Sequence, residues 1–448
     1  MTLRDMQFSA RRGLRPSHPA AGLRPQPDQW KFRRLFAAPH RLAFSAGALL
    51  LCLSGIWWAI ANLAFSSGVG LRWSMPSAVA HSVVMTFGFM PLFFVGFLYT
   101  AGPKWLGRPA VHAADVLDGV LPIVAGMLVF MVAVHGPSAS FGRAVGAIGL
   151  GAVLVGWLHV VSDLWVLVDE SDASDKAHMK VIVGGCVAGT LALGLATAGL
   201  ATGRYALVRA AVHFALWAFN GLVFAGAAHR MVPYFSAGAP AALMSRWPRW
   251  PLWTLTAVAG FEGAMEAIDA LGLANGTVRG LLRSGIELPA GLYLLVTSAR
   301  AGVARSLQFR LPAMLHVGYS WLGLGLLMSG ISHAAGAAQA PTLALGLAPL
   351  HAYAMGFLGS TMLAMVTRAS CGLGGRAVVA DDFVWRLFWV LQAATLLRIA
   401  AALTFKSSYG LGIALAALAA CAWATTFACW AARYGRWYGT PRPDGQAG

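Results

Sequence analysis

Long apolar segments constrain this chain more than any other feature of its sequence. A bilayer offers no water to the backbone, so a spanning segment of about 20 residues must pair its polar groups internally, as an α-helix does. Of the 448 residues, 58% are hydrophobic and 11% are charged, against about 25% charged in soluble domains. The sequence therefore predicts an all-α polytopic bundle of about twelve transmembrane helices. Their approximate spans are 43–66, 76–102, 116–136, 142–168, 179–203, 206–235, 250–273, 278–300, 311–335, 342–368, 384–404 and 409–434.

The domain organisation follows from these segments. Residues 1–42 are polar, basic and rich in proline, so we expect a disordered cytoplasmic tail. Residues 43–434 form the twelve-helix transmembrane domain, and residues 435–448 form a second tail. Most of the 33 lysine and arginine residues flank segment ends on the side of the two tails. The positive-inside rule therefore predicts a multi-pass protein with both tails in the cytoplasm.

The net charge and the cysteines exclude several classes of protein. The charge is +17, and in a membrane protein basic loops that meet anionic lipid headgroups account for such an excess. We therefore expect the lipid bilayer as a partner and no nucleic acid. The five cysteines form no C-x-x-C pair, which argues against covalently attached haem, iron–sulfur clusters and a disulfide scaffold.

Three histidines recur at matching places in the predicted bundle. His81, His213 and His351 lie near the starts of the second, sixth and tenth segments. A methionine follows the first and the last of them by four residues, as Met85 and Met355, which puts each pair on one helix face. Imidazoles from two helices can clamp a haem iron between them. The alternative interpretation is that each histidine makes an ordinary hydrogen bond to a neighbouring helix.

Other histidines lie near the opposite face of the membrane. His229 ends the sixth segment and His316 begins the ninth. Together with His213, they are candidate ligands of copper or another second metal, because neutral imidazole suits such ions. His40 and His178 lie in polar stretches, where we expect solvent to surround them.

Three stretches of the sequence resemble the NnrS family, bacterial membrane proteins tied to nitric-oxide and denitrification responses and described as binding haem and copper. The stretches are HSVVMTFGFMPLFFVGFLYTAGPKWLGRP from His81, AHRMVPYFSAGA at 228–239, and LHVGYSWLGLGLLM followed by LHAYAMGFLGSTMLAMVTRASCGLGGR. The resemblance implies a protein of the bacterial inner membrane that binds haem b, with copper as a further metal. It also implies nitric oxide as a ligand in the response to nitrosative stress.

The resemblance also implies roles for individual residues. His81 matches the first histidine of the family's Trp-His-x-His-Glu-Met segment, and His351 matches its helix 10 histidine, which implies that both are axial haem ligands. Residues that match other family positions, or that follow these histidines by four, are expected to lie in the haem pocket or at a metal. They are Arg230 and Arg368, Met85 and Met355, and the helix 9 histidine His316.

The chain departs from the family pattern in its second segment. Val83 and Val84 stand where the family has a second histidine and a glutamate. If those groups bind copper in relatives, this chain lacks them. A looser resemblance to the haem–copper oxidases implies three four-helix units with haem ligands on helices 2 and 10. The oxidases' paired helix 7 histidines are absent here, so oxygen reduction and proton pumping are not predicted.

A stripe of carboxylates marks the seventh segment. In FEGAMEAIDALG, Glu262, Glu266 and Asp269 are spaced i, i+4 and i+7, so they share one helix face. Ionised carboxylates inside a membrane need partners. The eighth segment offers Arg279 and Arg283 together with Glu287, which favours a buried ion-pair network. A proton path or a cation site beside the sixth-segment histidine is the alternative.

Two functions from different classes remain open at this stage. The first is an NnrS-like haem protein of the nitric-oxide response, which is also expected to bind copper. The second is a proton-coupled secondary transporter without haem, because twelve helices with both ends inside is a common transporter layout. A third hypothesis is a structural membrane protein without a cofactor. The sequence identifies neither a catalysed reaction nor an electron donor.

Overall fold

The computed structural model describes residues 29–235, 248–273, 276–300 and 307–445. Within these ranges the chain forms helices and no strand, as the sequence predicts. Most of the predicted amino-terminal tail lies outside the described residues. Its last part is ordered, however, because a short 3-10 helix occupies Phe32–Ala37 and the first long helix begins at Pro39.

Twelve long helices make up the described part of the chain, one for each predicted segment. Three of them consist of successive pieces. The helices are α1 (Pro39–Ser66), α2 (Ser77–Phe87 and Met90–Trp105), α3 (Leu117–Ala133), α4 (Ala139–Asp169), α5 (Ala177–Ala201), α6 (Tyr205–Ala215, Leu216–Gly221 and Leu222–Phe235), α7 (Trp250–Leu271), α8 (Gly276–Arg300), α9 (Arg310–Ala337), α10 (Ala348–His351, Ala352–Gly359 and Ser360–Leu373), α11 (Asp382–Thr404) and α12 (Tyr409–Gly439).

Ten of these helices are long and apolar enough to cross a membrane in the residues that the structure describes. The other two are α7 and α8, which carry the charged side chains discussed below. At 22 and 25 residues, each is still about 33 Å or more in length, which exceeds the roughly 30 Å of bilayer hydrocarbon. The architecture is therefore that of a multi-pass membrane protein.

The first and last long helices lie side by side. α12 packs between α1 and α11, and Arg41 donates hydrogen bonds to the carbonyl oxygens of Tyr438 and Thr440 at 3.0 and 2.9 Å. α1 therefore begins on the same face of the bundle on which α12 ends. We call this face the proximal side and the opposite face the distal side.

Helices α2, α6 and α10 form the centre of the bundle. Between 72% and 83% of the residues in their apolar stretches are buried, against 50% or less in the other seven apolar helices. These central helices are four apart in the chain, which supports the expected grouping into three four-helix units. Their exclusion from lipid makes them the natural place for a cofactor or other polar site.

Each central helix departs from regular α geometry. α2 is interrupted at Gly88 and Phe89, whereas Leu216–Gly221 of α6 and Ala352–Gly359 of α10 are π-helical. The two π segments meet, because Trp217 stacks on Tyr353 with ring centroids 3.7 Å apart. The hydroxyl of Tyr353 also donates to the carbonyl oxygen of Leu216 at 2.8 Å. The carbonyl group that accepts this bond belongs to the first residue of the α6 π segment. π turns often mark functional sites.

Small residues allow the outer helices to approach closely. On α4, a Cβ atom at Gly149 would lie 2.6 Å from the carbonyl oxygen of Gly126 and 2.9 Å from the amide nitrogen of Phe130 on α3. These are backbone atoms, which cannot rotate away. Close backbone contact of this kind is a common source of helix association in membranes.

Candidate functional site

His81 and His351 both lie near the distal ends of central helices. His81 lies in the second turn of α2 and His351 ends the first α-helical piece of α10, just before the π segment. Both helices start at the distal side. The two side chains lie near enough to affect each other electrostatically.

The His81 imidazole is held in place by stacking. Its ring lies over Trp58 of α1 with centroids 3.9 Å apart and an angle of 15° between the planes. Its Nδ1 atom is buried and has no hydrogen-bond partner among the described residues. A buried nitrogen without a partner is costly, so this atom has an unmet hydrogen-bonding capacity inside the bundle.

The His351 imidazole has a defined tautomer. Its Nδ1 atom lies 2.8 Å from the carbonyl oxygen of Leu347, and because a carbonyl can only accept, Nδ1 carries the proton. The lone pair is then on Nε2, the atom that a neutral histidine offers to a metal.

Arg398 of α11 completes this group, which we call the histidine–arginine cluster (His81, His351, Arg398 and Trp58). Its charge interacts with both histidines, and its Nη1 atom is buried without a hydrogen-bond partner. Among the described residues no carboxylate forms an ion pair with it, and the thirteen ion pairs found there involve other groups. A cation within the membrane normally has an anionic partner, so the cluster is suited to an anion.

These residues fit a haem group. A haem iron accepts imidazole nitrogens, and the haem propionates are anions that a guanidinium binds well. Met85 and Met355, one turn beyond the two histidines, are half-buried against the same core. The sequence identified the two histidines and the two methionines but not Arg398, although a single arginine inside an apolar segment is itself a signal of function.

A second polar group lies between α6, α7, α8 and α9, and Arg283 is at its centre. The Arg283 side chain is 1% exposed. Its Nη2 atom donates to Glu262 at 2.9 Å and to Glu266 at 2.7 Å, while Nε donates to Glu287 at 3.0 Å. Its Nη1 atom donates to Asp269. The predicted ion-pair network between the seventh and eighth segments is therefore confirmed.

Histidines from two further helices extend this network. The Nδ1 atom of His213 on α6 lies 2.7 Å from a Glu266 oxygen, and that of His333 on α9 lies 2.7 Å from Glu287. Ser329 also donates to Glu287, at 3.0 Å, and Arg279 pairs with Asp269. We call the whole set the charged network: Glu262, Glu266, Asp269, Glu287, Arg279, Arg283, His213, His333 and Ser329.

Part of the charged network has the spacing of a metal site. Three potential ligand atoms lie within 4.8 Å of one another, one each from Glu266, Asp269 and His333. Both carboxylates are also paired with arginine. Because those guanidinium groups already occupy carboxylate oxygens, the geometry favours an ion-pair network over a cation site.

The three candidate copper ligands are not brought together. His213 is in the charged network at the distal side, whereas the Nε2 atom of His316 lies 2.8 Å from the Ser298 carbonyl oxygen near the proximal side. Val83 and Val84, which replace the family's histidine and glutamate, are fully buried among apolar residues. The described residues therefore do not fit a copper site at these positions.

His229, the third candidate, forms a pair with His178. The two rings are joined through His178 Nε2 and His229 Nδ1 at 2.9 Å, and His229 Nε2 lies 3.0 Å from the carbonyl oxygen of Pro248. His178 is 8% exposed, so the expectation that solvent surrounds it is wrong. α5 begins at Ala177, and its first turn directs His178 toward α6. His40 is also buried and packs edge-on against Phe44.

The two arginines expected in the haem pocket lie at the other ends of their helices. Arg368 follows His351 by 17 residues on α10, which corresponds to about 25 Å of helix. Arg230 lies on the proximal side, where it pairs with Asp175 at 3.5 Å and stacks over the Trp105 ring at 5.7 Å. Neither joins the histidine–arginine cluster.

A small apolar cavity lies deeper between the central helices. Its volume is about 30 Å³, close to that of one water molecule, and its lining includes Phe94 of α2, Phe224 of α6 and Met362 of α10. All of the described residues that line it are apolar.

Comparison with known proteins identifies the family. A family model described as NnrS protein matches residues 34–442, which include all twelve helices, the histidine–arginine cluster and the charged network. No curated protein matches the chain. Because the match covers far more than half of the sequence, the chain belongs to the NnrS family.

Proposed function

We propose that the chain is a haem-binding membrane protein of the nitric-oxide response, with His81 and His351 as the ligands of one haem b iron. The observation that carries this proposal is the histidine–arginine cluster. It joins imidazoles from two central helices to a guanidinium whose Nη1 atom is buried without a hydrogen-bond partner. Membership of the NnrS family supports the same function.

Each residue of the cluster has a distinct part in this proposal. The Leu347 carbonyl holds the His351 proton on Nδ1 and leaves Nε2 free to bind iron. Trp58 fixes the plane of the His81 ring by stacking. Arg398 would pair with a propionate, and Met85 and Met355 would pack beside the macrocycle. When bound, the haem supplies an iron that can take up nitric oxide or a single electron.

The same proposal places the protein in the bacterial inner membrane with its proximal side in the cytoplasm. The distribution of lysine and arginine supports that orientation. The haem would then lie in the outer part of the membrane, where an uncharged gas dissolved in lipid can reach it. No copper ligand set is included, because the candidate histidines lie apart.

The test is a reduced-minus-oxidised optical spectrum of the detergent-purified protein, before and after nitric oxide is added. We expect b-type bands in the wild type and a change in them with nitric oxide. His81→Ala and His351→Ala should each lose bound haem, measured as haem per protein. His159→Ala is a matched control, because His159 bonds its own helix at the Val155 carbonyl just as His351 bonds Leu347. Wild-type haem content in either cluster variant would refute the ligand assignment.

A further inference from the structure

The charged network carries more negative than positive groups. It contains four carboxyl groups and two guanidinium groups, so ionised carboxylates and neutral histidines would leave a net charge of −2. Uncompensated charge within a membrane is costly. Two bound protons would bring the network to neutrality, and it contains titratable histidines and carboxyl groups that can hold them.

Glu262 and Glu287 are the two fully buried acids of the network. The Glu262 side chain is 1% exposed; one oxygen accepts from Arg283, and the other is buried without a hydrogen-bond partner. Glu262 and Glu287 share Arg283, which donates to Glu262 from Nη2 and to Glu287 from Nε. A buried carboxylate oxygen without a donor is costly, and a proton bound to the carboxylate removes its charge.

Four titratable or charged groups lie close to Glu262. Arg283 and Glu287 face it from α8, Glu266 from its own helix, and Tyr353 from the π segment of α10. The neighbouring Gly263 lies against Ala218 in the π segment of α6. Glu262 therefore connects the charged network to the central helices.

The other end of the network reaches the distal side. His333 is 24% exposed, and its Nδ1–H group points at Glu287. A proton from the aqueous phase can bind the second ring nitrogen of His333 while the Nδ1 proton moves to Glu287 and onward to Glu262. Charge and atoms balance, since one proton enters at the imidazole and one is held at the carboxylate, with no change of oxidation state.

We propose that the charged network takes up protons from the distal side and that Glu262 stores one of them as a carboxylic acid beside the central helices. His333 is the entry group and Glu287 relays the proton. This function is independent of haem, because His333, Glu287 and Glu262 lie on α9, α8 and α7 and none of them belongs to the histidine–arginine cluster.

Infrared spectroscopy tests the stored proton directly. The purified wild-type protein should show the carbonyl band of a protonated carboxylic acid at neutral pH, and Glu262→Gln should remove it. Glu170→Gln is the control, because Glu170 is a 53% exposed glutamate paired with Arg108 outside the network. If Glu262→Gln does not fold, Glu262→Asp keeps an acid and should shift the band. A band unchanged in the Gln or Asp variant would overturn the proposal.

Two further measurements test the route and the charge. After transfer to deuterated water, the shift of the band should be about 100-fold slower in His333→Gln, the usual range for loss of a proton-transfer group. An unchanged rate would overturn the entry role of His333. Absence of the band in a wild-type protein that contains stoichiometric metal by mass spectrometry would show that a cation, and not a proton, neutralises the network.

Discussion

Replacement of Arg283 by methionine should destabilise the protein more than any other single change in α8. The side chain is 1% exposed and donates hydrogen bonds to four carboxylates. Methionine fills a similar volume but leaves those carboxylates without their shared cation. Removal of one partner from a buried ion pair costs about 3–5 kcal/mol, and we expect a loss of that size in the free energy of unfolding.

The matched control is Arg279→Met, one turn earlier on the same helix. Arg279 is 24% exposed and pairs with Asp269 at the edge of the network, so the expected loss is about 1 kcal/mol or less. Unfolding in mixed detergent micelles, followed by circular dichroism, measures both variants. Adding Glu266→Gln to Arg283→Met removes one unpaired charge and should restore part of the stability. Equal losses for the two arginine variants, or no recovery in the double variant, would refute the electrostatic account.

Three other changes have expected outcomes. Arg398→Leu should weaken haem binding about 10- to 100-fold, because it removes a hydrogen bond between charged groups. Arg386 is exposed on the same helix, so Arg386→Leu should leave haem binding unchanged. Titration of each variant with haem measures the difference. Gly149→Leu should destabilise by about 1–3 kcal/mol or more through overpacking, while Gly151→Leu, with open space around it, should be tolerated in thermal unfolding. A hydrogen bond from Arg433 lowers the pKa of Asp381 below its usual value, so this pair stabilises the fold above the carboxyl's ordinary pKa. That contribution should disappear as the pH falls through the lowered pKa, and Asp381→Asn should show a flatter dependence of unfolding on acid pH.

Sequence patterns predict the elements of this protein well because the membrane limits the choice of structure. Every predicted apolar segment corresponds to one long helix. The spacing of Glu262, Glu266 and Asp269 also identified one face of α7, and the arginines of α8 proved to be its partners. Both inferences rest on helix periodicity, which a single sequence shows directly.

Contacts between distant helices were harder to predict. Nothing in the local sequence links His213 to Glu266 or His333 to Glu287, because these pairs depend on how α6 to α9 pack. The π segments are also difficult to recognise in the sequence, because the extra residue in a π turn does not change the composition of the helix. The burial of His178 depends on where α5 begins. In each case the deciding quantity is the rotation of one helix against another.

The contact between α1 and α12 has a consequence for biosynthesis. Arg41 at the start of α1 is 4% exposed, and its hydrogen bonds end on backbone groups at the end of α12. During translation α1 enters the membrane first and α12 last. The hydrogen-bond partners of Arg41 are therefore made only after nearly the whole chain has been synthesised. During that time lipid headgroups or insertion factors have to shield it. Quality control that monitors unassembled helices would therefore find α1 exposed in any chain truncated before α12.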